Sequence, residues 1–275
     1  LWSVSEQDAQ QRPVKSILGN GLSQVRDYNP YSGRMTRAVV STAAGVARLQ
    51  EGYDCDLIGN VLNRSQYWDA GGFQEAFHYD AMNRIDSSGV LGQPAQSFTY
   101  DNVGNLRSKI GVGSYTYPAQ GAGAIRPHAV QSTSSQGGFA YDANGNLITG
   151  AGRTMTWTSF DMPSTITGTG ASASFVYGPE HQRVRQNRGD GSTVVYAGAQ
   201  EVESKGGQVT VKTYWPNGIG VEIDRPNVAA TELNWTHADR LGSPVALSGE
   251  NGLLREKLAY DAWGKRRELD GSATP

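Results

Sequence analysis

Cysteine is almost missing from these 275 residues: Cys55 stands alone, so no disulfide can form within the chain and the fold is held without covalent staples. Long apolar runs are missing too. The nearest approach, Ala38 to Ala47, is broken by Ser41, Thr42 and Gly45, well short of the roughly 18–20 apolar residues of a membrane-spanning helix. Charged residues make up only 18% of the chain and balance to a formal net of −2. That leaves no basic footprint for nucleic acid and no polybasic patch for a membrane surface. Helical periodicity is absent almost throughout, and residues 1–12 are the one stretch where some helix is expected. Three signatures are lacking: His-Glu-x-x-His, Gly-x-Ser-x-Gly and Asp-x-Asp-x-Asp-Gly. Their absence removes the common zinc-protease, serine-hydrolase and calcium-loop readings. His78, His128, His181 and His237 are scattered without ligand-spaced partners, so neither a metal nor a cofactor is expected.

Glycine is abundant, at 35 residues, as are tyrosine at 13 and tryptophan at 6. Glycine serves turns and aromatics favour strands. The two come together in Phe98-Thr99-Tyr100-Asp101-Asn102-Val103-Gly104-Asn105-Leu106, which recurs almost unchanged as Phe139-Ala140-Tyr141-Asp142-Ala143-Asn144-Gly145-Asn146-Leu147. Phe98 and Tyr100 share one face of an extended chain. Asp101 supplies the carboxylate acceptor that opens a type I turn, and Gly104 takes the positive φ that closes it. The chain then runs back antiparallel, so one unit is strand, turn, strand.

The same turn is read at Asp56 and Gly59, at Asp80 with Asn83 in the glycine slot, at Asp142 and Gly145, and at Asp261 and Gly264. Phe160-Asp161-Met162-Pro163 and Tyr177-Gly178-Pro179 read as degenerate copies. Asp56 to Asp80 is 24 residues, Asp80 to Asp101 is 21 and Asp142 to Asp161 is 19. A fixed period near twenty marks a repeat architecture, whose units bury their apolar faces by stacking on neighbours. The expected fold is therefore all-β: repeated antiparallel hairpins forming a curved, spiralling sheet strip. Residues 1–27 read as a lead-in containing a first hairpin at Leu18–Leu22, 28–267 as the repeat array and 268–275 as a tail. Between Gly111 and Gly138 the signal thins into a longer loop. About 26 strands at about 4.8 Å each make a strip about 125 Å long, too wide to fill its own interior as a single barrel. Such a sheet walls a cavity or packs on itself. Leu1, in place of methionine, makes the chain read as part of a longer polypeptide.

The Tyr-Asp-x-x-Gly-Asn units resemble the YD repeats of rearrangement hotspot (RHS) proteins. The segment Trp235-Thr236-His237-Ala238-Asp239-Arg240-Leu241-Gly242-Ser243-Pro244, followed by Tyr260-Asp261-Ala262-Trp263-Gly264-Lys265-Arg266-Arg267, resembles the stretch leading into the RHS-associated core. The resemblance covers residues 28 to 267. It implies a hollow β-shell: in bacterial RHS proteins and the C component of insecticidal toxin complexes it surrounds a C-terminal toxic polypeptide, and in animal teneurins it serves adhesion. The toxins free their cargo by aspartate-dependent self-cleavage in a Gly-Arg-x-Tyr-Asp-Pro motif followed by a second Asp-Pro. Neither motif occurs in this chain, and no catalytic residue is carried over.

The reading that follows is a non-enzymatic shell segment, secreted or at the cell surface in bacterial toxin delivery. Its partners would be a toxin cargo or the remaining shell segments of the same polypeptide. The alternative is an adhesin or carbohydrate-binding module for a glycan or cell-surface receptor, with Trp157 and Trp263 as the stacking aromatics. A strip with open strand edges is expected to oligomerise. His237, Asp239 and Ser243 sit too close along one strand and its turn for a hydrolase triad and read as structure. Cys55, in an aromatic slot of a repeat, reads as a small buried apolar residue.

Overall fold

The computed structural model describes residues 1–273. Twenty-eight strands form, and among the described residues no α-helix does; a single 3₁₀ turn occupies Pro216–Gly218. Two antiparallel sheets of thirteen strands each follow strict chain order. The first runs from Trp2–Gln7 to Gly137–Gly138 and the second from Ala140–Tyr141 to Leu254–Lys257, with Ala259–Tyr260 and Arg266–Arg267 as a separate pair. Neither large sheet closes into a barrel. Trp2–Gln7, inside the stretch where some helix was expected, is a strand paired to Pro13–Leu18. Its alternating Trp2, Val4 and Glu6 have strand period, and the pairing partner decides the matter. Residues 117–131 contain no strand, in keeping with the thinning of the repeat there.

The chain divides into two compact units, one built from residues 1–96, 214–222 and 232 onward, the other from 97–213 and 223–231. In the first unit, alternation sets the inner face. Along Ala47–Cys55, Leu49, Glu51 and Tyr53 are buried while Gln50 and Asp54 are exposed. Their cross-strand partners, Trp68, Gln66 and Arg64, point to the same side because side chains alternate with period two. This face packs on the later strands of the unit. Leu18, Leu22, Val40, Leu49, Trp68, Phe73 and Val90 form one cluster with Trp215, Trp235, Val245, Ala246 and Ala259. Trp68 Nε1 donates to Val245 O at 3.1 Å, and Trp235 Nε1 to Leu1 O at 2.9 Å. Trp215 meets Trp235 edge to face, 5.3 Å between centroids. The first unit thus takes the second of the two options open to a wide strip and packs on itself.

The second unit is the more regular set of hairpins, for example Arg153–Trp157 on Pro163–Gly168 and Pro163–Gly168 on Ala171–Tyr177. Phe98 and Val194 are its buried apolar side chains among the described residues.

Candidate functional site

The Asp-x-x-Gly-Asn turns share one construction. At Asp101 the backbone N–H donates to Asn105 O (2.9 Å), and Gly104 N–H donates to Asp101 O (3.1 Å). The carboxylate finishes the loop: Oδ1 accepts from Val103 N and Asn105 N, and Oδ2 accepts from Asn105 Nδ2 at 2.9 Å. Gly104 has φ 92°, which a side chain with a Cβ adopts only with strain. Asp142 and Gly145 repeat these contacts, as do Asp56 and Gly59. Asp261 accepts from Trp263 N and Lys265 N, with Gly264 closing the turn. At Asp80 the positive-φ residue is Asn83, and Arg84 takes the place of the second asparagine, its Nε donating to Oδ2 at 2.7 Å. The Arg84 side chain, with its backbone N–H, holds the Asp80 carboxyl below the usual carboxylate range. Each of these carboxylates accepts donors of its own turn.

One of the two degenerate copies differs in register from the sequence reading. The turn near Phe160 opens at Thr158, whose N–H donates to Met162 O, and Asp161 occupies the positive-φ slot at φ 60°. The aromatic position of that unit is therefore Trp157, not Phe160. The copy at Tyr177 keeps its register, with Gly178 opening the turn and His181 at φ 61°. Further turns have the same closure. Asp8 to Arg12 is closed by Gln11 at φ 62°, and Asp239 to Ser243 by Gly242 at φ 87°.

The structure assigns two jobs that the repeat motif carries silently. The first belongs to the asparagine after the glycine, which ties its turn to the next one along the edge. Asn60 Nδ2 donates to Asn83 Oδ1 (3.2 Å), Asn146 Nδ2 to Asp161 Oδ1 (2.7 Å) and Asn105 Nδ2 to Pro127 O (3.0 Å). The second belongs to the aromatic before the aspartate. Tyr79 OH donates to Val61 O, Tyr141 OH to Val130 O and Tyr260 OH to Pro244 O, each at 3.0 Å. Trp157 does the same through Nε1 to Leu147 O at 2.9 Å. The acceptor is the first strand carbonyl after a preceding turn in the Val61, Leu147 and Pro244 cases, so the aromatic laces one hairpin to another. The sequence signal was the choice of Tyr, with its hydroxyl, over Phe.

The two aromatics singled out for ligand stacking are in different situations. Trp157 is half-buried in this lacing position of the second unit. Trp263 stands on the Asp261 turn of the first unit and is 43% exposed. Cys55 is half-buried.

The inner face of the first unit is polar at its centre. Glu75 is buried between two guanidinium groups: Arg64 Nε meets its Oε2 at 2.8 Å, and Arg267 meets Oε1 and Oε2 at 3.2 and 2.6 Å while lying 4.2 Å over the Phe73 ring. Arg64 also donates to Tyr260 O. Nearby in the ladder, Glu51 accepts from Tyr53 OH at 2.8 Å, and its Oε2 has no hydrogen-bond partner. Burial pushes the Glu51 carboxyl up to about 8, against the opposing pull of the Tyr53 hydroxyl. Burial and the charge of Arg26 lower His237 to about 4, so this imidazole is neutral. Its Nε2 lies 2.8 Å from Ser248 Oγ, which also accepts from Asn20 Nδ2 at 2.9 Å. His237 and Ser248 are both fully buried. His237 therefore pairs with Ser248, and Asp239 accepts from Leu241 N and Ser243 N in its own turn; the structure does not bring His237, Asp239 and Ser243 together as a catalytic set. Among the described residues no group of three or more His, Cys, Asp or Glu is placed to hold a metal ion.

No family model matches the sequence, and no curated protein does. Solved structures do match. The TcdB2-TccC3 crystal structure superposes with TM-score 0.77 at 13% identity, over 95% of this chain and 16% of that one. The Photorhabdus luminescens Tc holotoxin pore gives TM-score 0.76 at 14% identity, over 95% of this chain and 15% of the other. TcdB2-TccC3 without its hypervariable C-terminal region gives TM-score 0.77 at 13% identity with the same coverages of 95% and 15%. The chain spans about one sixth of the length of the proteins it matches. Hairpins in unbroken chain order, joined by Asp-x-x-Gly turns and laced by tyrosine hydroxyls, thus carry the RHS/YD-repeat fold of the toxin-complex structures.

Proposed function

We propose that this chain is a non-enzymatic wall segment of an RHS/YD-repeat shell that encloses or presents a C-terminal toxin, within a protein secreted or displayed for bacterial toxin delivery. The observation that carries the reading is the likeness to the toxin-complex structures over 95% of the chain, combined with turns whose carboxylates serve their own backbone. An array built this way uses its repeated polar residues to hold neighbours in register. In this reading 28–267 is the repeat array, 1–27 leads into it and 268–275 leads out. The partners are the cargo and the other shell segments of the same polypeptide. The test uses the complete polypeptide. A passenger at its C-terminal end is expected to resist protease until the β-shell is denatured; digestion at the rate of the free passenger refutes containment.

A further inference from the structure

The first unit contains a cavity of about 400 Å³ that neither the turns nor the core explains. Its lining is largely aromatic and aliphatic, with Tyr53, Phe77, Tyr79, Ile85, Pro244 and Tyr260 among the residues that form it. The tyrosine hydroxyls are committed elsewhere, Tyr53 to Glu51, Tyr79 to Val61 O and Tyr260 to Pro244 O, so they present ring faces and not donors. Arg64, also in the lining, shares Glu75 with Arg267 and donates to Tyr260 O, so its N–H groups are engaged. Asp239 and Asp261 at the rim are turned to the N–H groups of their own turns. Arg240 is different. It is exposed on the Asp239 turn, its guanidinium lies 5.6 Å over the Tyr53 ring, and it makes no ion pair with any described residue. Beside it Leu241 is 78% exposed.

We propose that this cavity is a docking site for a polypeptide partner that inserts one aromatic side chain and places a carboxylate against Arg240. The volume lies within the range of ligand cavities, about 300–1,000 Å³, and exceeds the roughly 150 Å³ that encloses one benzene ring, so it takes an aromatic side chain together with the residue beside it. An aromatic anchor buries about 150–250 Å² and gains from edge and face contacts with rings. Anchors of this kind dominate protein interfaces when they fill a desolvated pocket. Arg240 supplies the polar complement, since a guanidinium stacked on an aromatic face keeps its outward N–H groups for a carboxylate. The exposed apolar side chain of Leu241 at the mouth gives the surrounding surface an apolar rim. The site does not depend on the containment reading, because an adhesive or a cargo-bearing shell has the same cavity.

The experiment is a ¹⁹F NMR titration of the whole chain with N-acetyl-4-fluorophenylalanine and with its neutral amide. Both are expected to bind saturably at one site, the carboxylate form more tightly. Arg240→Glu, on an exposed turn, is expected to weaken the carboxylate probe by about tenfold and to leave the amide within about twofold. Ala262→Trp, also on a turn at the mouth, is expected to abolish saturable binding of both, with the circular dichroism spectrum unchanged. Binding without saturation, or binding that survives Ala262→Trp, overturns the site. Equal loss of both probes in Arg240→Glu overturns the role of Arg240. If the free probes bind but a peptide carrying an Asp-Phe pair does not, the source is a small aromatic acid and the polypeptide assignment falls.

Discussion

Glu51 makes the stability of the first unit depend on pH in a direction opposite to most carboxylates. It is 3% exposed, one oxygen accepts from Tyr53 and the other has no partner. Its folded value of about 8 compares with 4.5 for the ordinary side chain, so between those limits the folded chain holds a proton that the unfolded chain has lost. Stability from this group is complete below pH 4.5 and is lost as pH rises through 8, a span worth about 5 kcal/mol. His237 has the reverse sign, because its folded value of about 4 lies below 6.5: its contribution is present above pH 6.5 and is lost as pH falls toward 4. A comparison of Glu51→Gln with the parent chain removes the histidine from the difference. The glutamine is neutral at every pH and keeps an oxygen for the Tyr53 hydroxyl. Urea unfolding followed by tryptophan fluorescence at pH 5 and at pH 8 is expected to show the variant gaining about 4 kcal/mol on the parent between the two. A difference independent of pH refutes the reasoning, for it would mean that the carboxylate is ionised throughout and that a cation reaches Oε2.

Three further outcomes follow from the geometry. Gly104→Val and Gly145→Val are each expected to cost about 1–3 kcal/mol through backbone strain alone, since a Cβ at either position meets nothing within 4 Å; Asn102→Ser, on the same turn, should be nearly silent by the same urea measurement, and equal effects at the two sites would misplace the turn. Tyr79→Phe keeps the ring but leaves Val61 O without its donor at 3.0 Å, a loss of about 1 kcal/mol, visible as faster amide exchange around Val61. Arg267→Met leaves Glu75 with Arg64 alone, and breaking a buried pair costs about 3–5 kcal/mol. A loss below about 1 kcal/mol in chemical denaturation would show that Arg267 is not part of the clasp.

Much of the fold was legible because its information is local. A turn is written in five residues, and Asp101, Gly104 and Asn105 act on one another within that span, so no distant partner has to be known. The degenerate copy at Phe160 was read three residues out of place for the same reason: Thr158 and Asp161 can each fill a turn slot, and only the closing bond from Thr158 N–H to Met162 O selects the register. The lacing role of Trp157 was not legible in its own motif, because the partner of its indole N–H, Leu147 O, lies on the neighbouring strand. The edge strand Trp2–Gln7 carries two register shifts in its pairing to Pro13–Leu18, irregularities of the kind that blunt an open edge and that composition does not reveal.

The amino-acid order by itself determined where the chain turns and which residues alternate, because both depend on φ preferences and on contacts a few bonds away. It determined nothing about which inward positions would meet. Arg267 reaches Glu75 across 192 residues and Trp68 reaches Val245 O across 177. Those pairings, the unpartnered oxygen of Glu51 and the aromatic cavity beside Arg240 exist only after the strip has packed on itself, since burial is a property of the faces brought together and not of either strand alone.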